Sequence, residues 1–162
     1  MEYYEPVHAR FERFCKAKAY GRLDFKDLMH DALLIAFEKF EQVKDQSSFL
    51  YFLFGIAVRV AANAQRKMQP DFLMDDAVLN FVDQQMTMDQ YFEVEQLYAM
   101  LAKLPELQRE CLILFEISGF SIREIALLQG KTEDAIKQQL SRGRKALAHL
   151  LQLQESFNTV AL

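Results

Sequence analysis

The sequence predicts an all-α protein made of two small helical domains joined by an acidic linker, with a helix-turn-helix in the second domain. Three observations lead there. Only three prolines and five glycines interrupt 162 residues, and apolar side chains recur at helical spacing along most of the chain. Acidic charge is concentrated in one place: residues 70–95 hold seven acidic and no basic side chains, whereas residues 1–69 carry a net +2 and residues 96–162 a net +1. Near the C-terminal end, two short capped helix patterns flank a glycine. The expected division is 1–69, 70–95 and 96–162.

The bulk properties agree with this division. A chain of 162 residues forms one ordinary domain or two small ones, and 51% hydrophobic with 26% charged residues suits a folded protein. Cys15 and Cys111 lie far apart without metal-ligand spacing and read as buried, reduced thiols. No signal-peptide pattern opens the chain and no apolar stretch is expected to reach membrane-spanning length, which predicts a cytoplasmic protein without membrane insertion. No Ser/His/Asp set, zinc spacing or phosphate-binding glycine loop is present, so neither catalysis nor a metal or cofactor is expected. His8, His30 and His149 are scattered and read as surface residues.

In the first domain, Val7, Phe11, Phe14 and Cys15 mark the inner side of a helix over residues 5–20. Asp24 with Asp27 resembles a capping box with Asp in place of Glu. The helix that follows carries Leu28, Ala32, Ile35 and Ala36 in one stripe. Asp27 and Asp31 sit one turn apart, as two metal ligands could, but nothing completes a ligand set. Ordinary surface acids, or acids that meet a basic partner, account for them better. Ser47 or Ser48 is the expected cap of the next helix, which is apolar at Phe49, Leu50, Phe52, Leu53, Phe54, Ile56, Ala57 and Val60 and should lie at the centre of its bundle. Beyond that root, Arg59, Asn63, Arg66 and Lys67 recur on one face up to a helix end at Gln69, before Pro70. A basic, Asn-bearing tip suits phosphates and bases, and a solvated face with cations at a helix C-terminus has the same spacing.

The middle segment, PDFLMDDAVLNFVDQQMTMDQYFEVE, is acidic yet carries apolar residues such as Phe72, Val78 and Phe81. Two readings stay open, a solvated linker and a segment that docks on a neighbour.

In the last domain, Leu104-Pro105-Glu106 starts a helix whose inward residues are Leu107, Cys111, Leu112, Leu114 and Phe115, and Gly119 stops it. Then comes SIREIALLQGKTEDAIKQQLSRGRKAL. Ser121 and Glu124 fit a capping box, and Ile122, Ile125, Ala126 and Leu128 bury the first helix. Gly130 can take positive φ in the turn, and Thr132 caps a second helix with Ala135 or Ile136, Leu140, Gly143 and Leu147 inward. In a helix-turn-helix, the second helix enters the major groove and offers its early residues to base edges. Here these are Glu133, Asp134, Lys137, Gln138 and Ser141, with Arg142, Arg144 and Lys145 a turn later, where phosphate contact is easier. A generic helical hairpin fits the same pattern.

Taken together, DFKDLMHDALLIAFEKF, SSFLYFLFGIAVRVAANAQRK and LAKLPELQRECLILFEISGFSIREIALLQGKTEDAIKQQLSRGRKAL resemble the two domains of compact bacterial RNA polymerase sigma factors of the extracytoplasmic-function (ECF) type. The resemblance implies a non-enzymatic protein that binds core RNA polymerase and directs promoter recognition and transcription initiation. It implies that Asp27, Leu28, Asp31, Ala32, Phe37 and Phe40 meet the polymerase. Arg59, Asn63, Arg66 and Lys67 would meet the downstream promoter element. Unpaired bases have two alternative sites: aromatics near the basic tip, Phe52 or Phe72, or, as the resemblance implies, a pocket in the loop Lys44–Ser48. Glu133, Lys137, Gln138, Ser141 and Arg142 would read the upstream element, with Arg144 and Lys145 on phosphates. The linker would thread through polymerase near the RNA exit path, where its charge can mimic nucleic acid; neutralising five of its acids then weakens initiation, and unchanged activity refutes the idea. An anti-sigma factor is a further candidate partner.

The chain departs from the family at two places. Leu50 and Phe52 stand where the family often has Arg and Trp, and Gln138-Gln139 stands where Ser-Arg is common. Fewer phosphate contacts predict weak DNA binding by the isolated protein, with polymerase supplying the local concentration. Two rival readings are a stand-alone helix-turn-helix regulator and a polymerase- or sigma-interaction protein that does not initiate.

Overall fold

The structure is a computed structural model that describes residues 2–67 and 86–161. Every regular element among the described residues is helical. The chain divides into two compact units. The first holds helices α1 (His8–Ala19), α2 (Phe25–Glu38) and α3 (Gln46–Lys67); the second holds α4 (Met88–Ala102), α5 (Glu106–Leu112), α6 (Ile122–Gln129) and α7 (Glu133–Val160).

In the first unit, an aromatic wedge joins α1 to α3. Phe11, Phe14 and Phe54 are fully buried, and the Phe54 ring lies 5.4 Å from Phe11 and 4.9 Å from Phe14, centroid to centroid. Burying each phenylalanine contributes about 1.5–3 kcal/mol. Phe25, Leu28, Ala32 and Ala36 give α2 a buried stripe. Each of the three helices touches the other two, and α2 packs on both more extensively than the more apolar α3, whose contact with α1 is smaller. Much of α3's surplus apolarity, at Leu50, Phe52 and Val60, is only half-buried on its flank. Against expectation, α3 is long and apolar enough to cross a bilayer by length and composition. In this fold its inner stripe, Phe49, Leu53, Phe54, Ile56, Ala57 and Ala61, is core.

The caps follow local chemistry. Asp24 accepts from the backbone N–H of Lys26 and Asp27, which is the forward half of the expected box. The α3 cap is Asp45 rather than Ser47 or Ser48. Its carboxylate accepts from the Ser48 N–H and from the Ser47 hydroxyl, both at 2.7 Å, and its own carbonyl accepts from the Phe49 N–H. An Asp two or three positions upstream takes the capping role, and the serines become its donors. The expected end of α3 at Gln69 and the acidic residues 70–85 lie outside the described residues.

In the second unit, α4 opens with a full capping box between Thr87 and Gln90. It begins inside the stretch expected to be linker and runs across the expected boundary at residue 96. Arg109, Glu110, Cys111 and Leu112 are the buried residues of α5, and Gln108 and Leu112 meet Gly143 of α7. That orientation turns Leu107 outward, contrary to expectation, and leaves it 45% exposed. After Leu112 the helix widens into a π turn, Ile113–Ile117. This one-residue register change buries Ile113 and leaves Phe115 half-buried, where a regular helix would turn Phe115 inward. Gly119, at φ +74°, ends the segment. Both cysteines are buried and free.

Candidate nucleic-acid interface

Local hydrogen bonds set the shape of the two-helix stretch near the C-terminal end. Ser121 and Glu124 form a reciprocal capping box at the start of α6. Gly130 caps its end in the left-handed region at φ +62°, and the Lys131 N–H closes the turn onto the Ala126 carbonyl. Thr132 caps α7 through the Ala135 N–H. Ile125, Ile136, Leu140 and Gly143 are buried, so Ile136 rather than Ala135 faces inward. A polar network anchors the turn to α5: Gln129 Nε2 donates to Glu110 Oε1 at 2.8 Å, and Cys111 Sγ lies 3.6 Å from Gln129 Oε1. Burial, then the neighbouring Glu110, pushes the Cys111 thiol up and keeps it protonated.

With its inner side fixed, α7 turns Glu133, Lys137, Gln138, Ser141, Arg142 and Lys145 to solvent. Lys137 is only loosely paired with Asp134, at 3.8 Å between exposed side chains. Arg144 is also exposed, but its guanidinium is engaged within the protein by Glu116. Arg123 on α6 and Lys131 in the turn are exposed as well. Neither is a residue that the sequence reading assigns to DNA. Well beyond the basic stretch, α7 continues to Val160, and Leu153, Phe157 and Val160 are exposed there.

In the first unit, Arg59, Asn63, Arg66 and Lys67 are all exposed at i, i+4, i+7 and i+8 of α3. The polymerase-facing set, on α2 and at Phe40 in the 3-10 turn Phe40–Gln42 that follows it, splits. Asp27, Asp31, Phe37 and Phe40 are exposed, while Leu28 and Ala32 retain 3% and 0% of their surface and belong to the core. The i, i+4 spacing that put Leu28 and Ala32 with Asp27 and Asp31 places them on the inner side of the same helix. Leu34, not expected at a surface contact, is exposed next to Phe37. Phe40 also packs within the protein, 5.7 Å from the Tyr3 ring and 6.0 Å from Phe49. Of the expected Lys44–Ser48 loop, Gln46 to Ser48 are instead the first turn of α3, and an open cleft of about 490 Å³ there is lined by Val7, Asp45, Gln46, Ser47 and Leu50. Phe52 is half-buried, and Phe72 lies outside the described residues. Among the described residues, no group of three or more His, Cys, Asp or Glu side chains could hold a metal.

Residues 94–147 match the family described as Sigma-70, region 4. Over 126 residues the chain is 31% identical to the ECF RNA polymerase sigma factor EcfG of Rhodopseudomonas palustris, an alignment covering 77% of this chain and 70% of that protein. The chain belongs to the ECF family of RNA polymerase sigma factors. It is 23% identical to the RNA polymerase sigma factor SigV of Bacillus subtilis over 76% of this chain and 74% of SigV. Its fold matches that of the sigma factor RpoE from Bartonella quintana, solved in complex with the anti-sigma factor NepR. The TM-score is 0.72 at 23% identity, over 93% of this chain and 97% of RpoE. As an ECF sigma factor the chain is not an enzyme: it directs RNA polymerase to promoters.

Proposed function

We propose that this sigma factor divides promoter recognition between two polar helix faces and holds core polymerase with a third. The α3 tip, Arg59, Asn63, Arg66 and Lys67, takes the downstream element. The α7 face, Glu133, Lys137, Gln138, Ser141, Arg142 and Lys145, takes the upstream element, with Arg123 and Lys131 on flanking phosphates. The outer edge of α2, Asp27, Asp31, Leu34 and Phe37, with Phe40 in the turn just after it, takes the polymerase. The observation that carries the reading is the exposure pattern of α3, whose root is core while all four tip residues are exposed. Asn and Arg can bond base edges, and the cations neutralise phosphate. The cleft beside Asp45 is open enough to receive an unpaired base.

The setting is the cytoplasm, where polymerase and DNA are. RpoE of Bartonella quintana was solved with an anti-sigma factor, and an anti-sigma partner is proposed for this chain too, competing with polymerase.

The test is transcription by the chain reconstituted with core polymerase on promoters whose upstream or downstream element is scrambled. Arg59→Ala with Arg66→Ala should abolish the response to the downstream element and keep the response to the upstream one, and Lys137→Ala with Arg142→Ala the reverse. Loss of both responses in each variant refutes the division. Operator binding without polymerase would favour a stand-alone regulator, and polymerase binding without transcripts a non-initiating partner.

A further inference from the structure

Arg144 lies on the same stripe of α7 as Lys137 and Ser141, at i+7 and i+3 from them. Spacing alone therefore assigns it to DNA, but its head group is engaged at the surface of the second unit by a side chain of the same chain. Arg144 Nη2 and Nε both donate to Glu116 Oε1, at 2.9 and 3.3 Å, and the guanidinium carbon sits 5.2 Å from the centre of the Phe115 ring. Both partners belong to the π turn after α5, where the register change sets which side chains face α7. Next to Arg144, Gly143 brings α7 into contact with Leu112 of α5. The two adjacent residues thus fix α7 at one point, Gly143 by close approach and Arg144 by a charged, stacked brace.

We infer that Arg144 is a positioning residue for the recognition helix, acting through Glu116 and Phe115 and not through DNA. The inference rests on α7 being the helix that reads the upstream element. Its leverage is geometric. Arg144 lies eleven positions from Glu133, about 16 Å at 1.5 Å per residue, so a tilt of about 10° at the brace moves the first turn by roughly 3 Å. That is enough to break hydrogen bonds to base edges. The pairing also answers one cation with one anion, so Arg144 adds little positive charge toward DNA.

The test uses holoenzyme reconstituted from the full chain and core polymerase. The probe is a duplex promoter selected from a library randomised over the upstream element, compared with a copy in which that element is scrambled. Arg144→Gln and Glu116→Gln should each lower the preference for the selected element about two- to fivefold, the size of an exposed ion pair. The double variant should be no worse than the worse single one, since both remove the same brace. The slope of log affinity against log salt should not change.

Three outcomes overturn the inference. A salt slope shallower by about one unit in Arg144→Gln, with Glu116→Gln at full preference, makes Arg144 a phosphate contact. An equal loss on the selected and the scrambled promoter, with a lowered Tm, makes the pair only structural. Full preference in both variants, while Lys137→Ala with Gln138→Ala loses it, removes the brace alone. If Lys137→Ala with Gln138→Ala also keeps full preference, the reading of α7 itself falls.

Discussion

Gly143 stands so close to α5 that a Cβ there would lie 3.0 Å from Leu112 Cδ1 and 3.3 Å from Gln108 Cβ. In an open helix, Gly→Ala gains roughly 0.5–1 kcal/mol from backbone entropy. Here the added methyl meets a buried leucine and a Cβ fixed to the α5 backbone, and overpacking of that kind costs about 1–3 kcal/mol. Gly143→Ala should therefore destabilise the second unit by about 1 kcal/mol, and Gly143→Val by more, since β-branching also lowers helix propensity. Urea unfolding followed by circular dichroism measures both. A more stable Gly143→Ala variant would show that α5 and α7 can separate freely.

Gly130 is the opposite case. At φ +62° nothing lies within 4 Å of the position a Cβ would take, so its need for glycine is purely conformational. Gly130→Ala should cost about 1–2 kcal/mol, the left-handed penalty for an L-residue. Gly130→Asn should cost less, because Asn tolerates this region. Equal losses for Ala and Asn would point to a steric cause instead.

The Asp45 cap makes the start of α3 pH-sensitive. The Ser48 N–H, then the Ser47 hydroxyl, hold this exposed carboxyl below its ordinary value of 3.8. A depressed folded value means that the cap is fully present above 3.8 and is lost as pH falls through the lower folded value. Exchange protection of the Ser48 N–H should drop over that acid window. It should stay flat in Asp45→Asn, which caps without titrating. The same acid-induced loss in the Asn variant would assign it to another group.

What could be read from sequence was local or periodic. Ser121 with Glu124, Gly130 and Thr132 could be placed because each bonds within four residues of itself. The α3 tip could be placed because its root is too apolar to face water. Long-range packing was hidden. Arg144 and Glu116 are 28 residues apart, and no spacing rule links them. Leu28 and Ala32 show the same limit, because periodicity finds a stripe but not which side of it faces the core. Asp45 was missed for a different reason: Ser47 and Ser48 are equally good caps by type, and only geometry chooses. The start of α4 at Met88 was masked by the acidic composition of its first turns.

The division of α2 into core and contact residues leads to a last prediction, resting on the proposed polymerase surface. Phe37 is 46% exposed and Leu28 is 3% exposed, although both sit on one helix. Phe37→Ala removes surface that the free protein does not need, so its stability should stay within about 0.5 kcal/mol of the parent. An aromatic anchor truncated at an interface costs about 2 kcal/mol or more, so its Kd for core polymerase should rise at least tenfold. Leu28→Ala should do the reverse, losing about 2–5 kcal/mol of stability while the fraction that remains folded binds core polymerase normally. Asp27→Ala and Asp31→Ala should slow association and flatten its salt dependence more than they change dissociation, as exposed rim charges do. Titration of labelled core polymerase, with melting curves on the same samples, separates the two classes. Parental affinity in Phe37→Ala would move the polymerase contact off this edge of α2, because the residue's exposure would then serve no contact there.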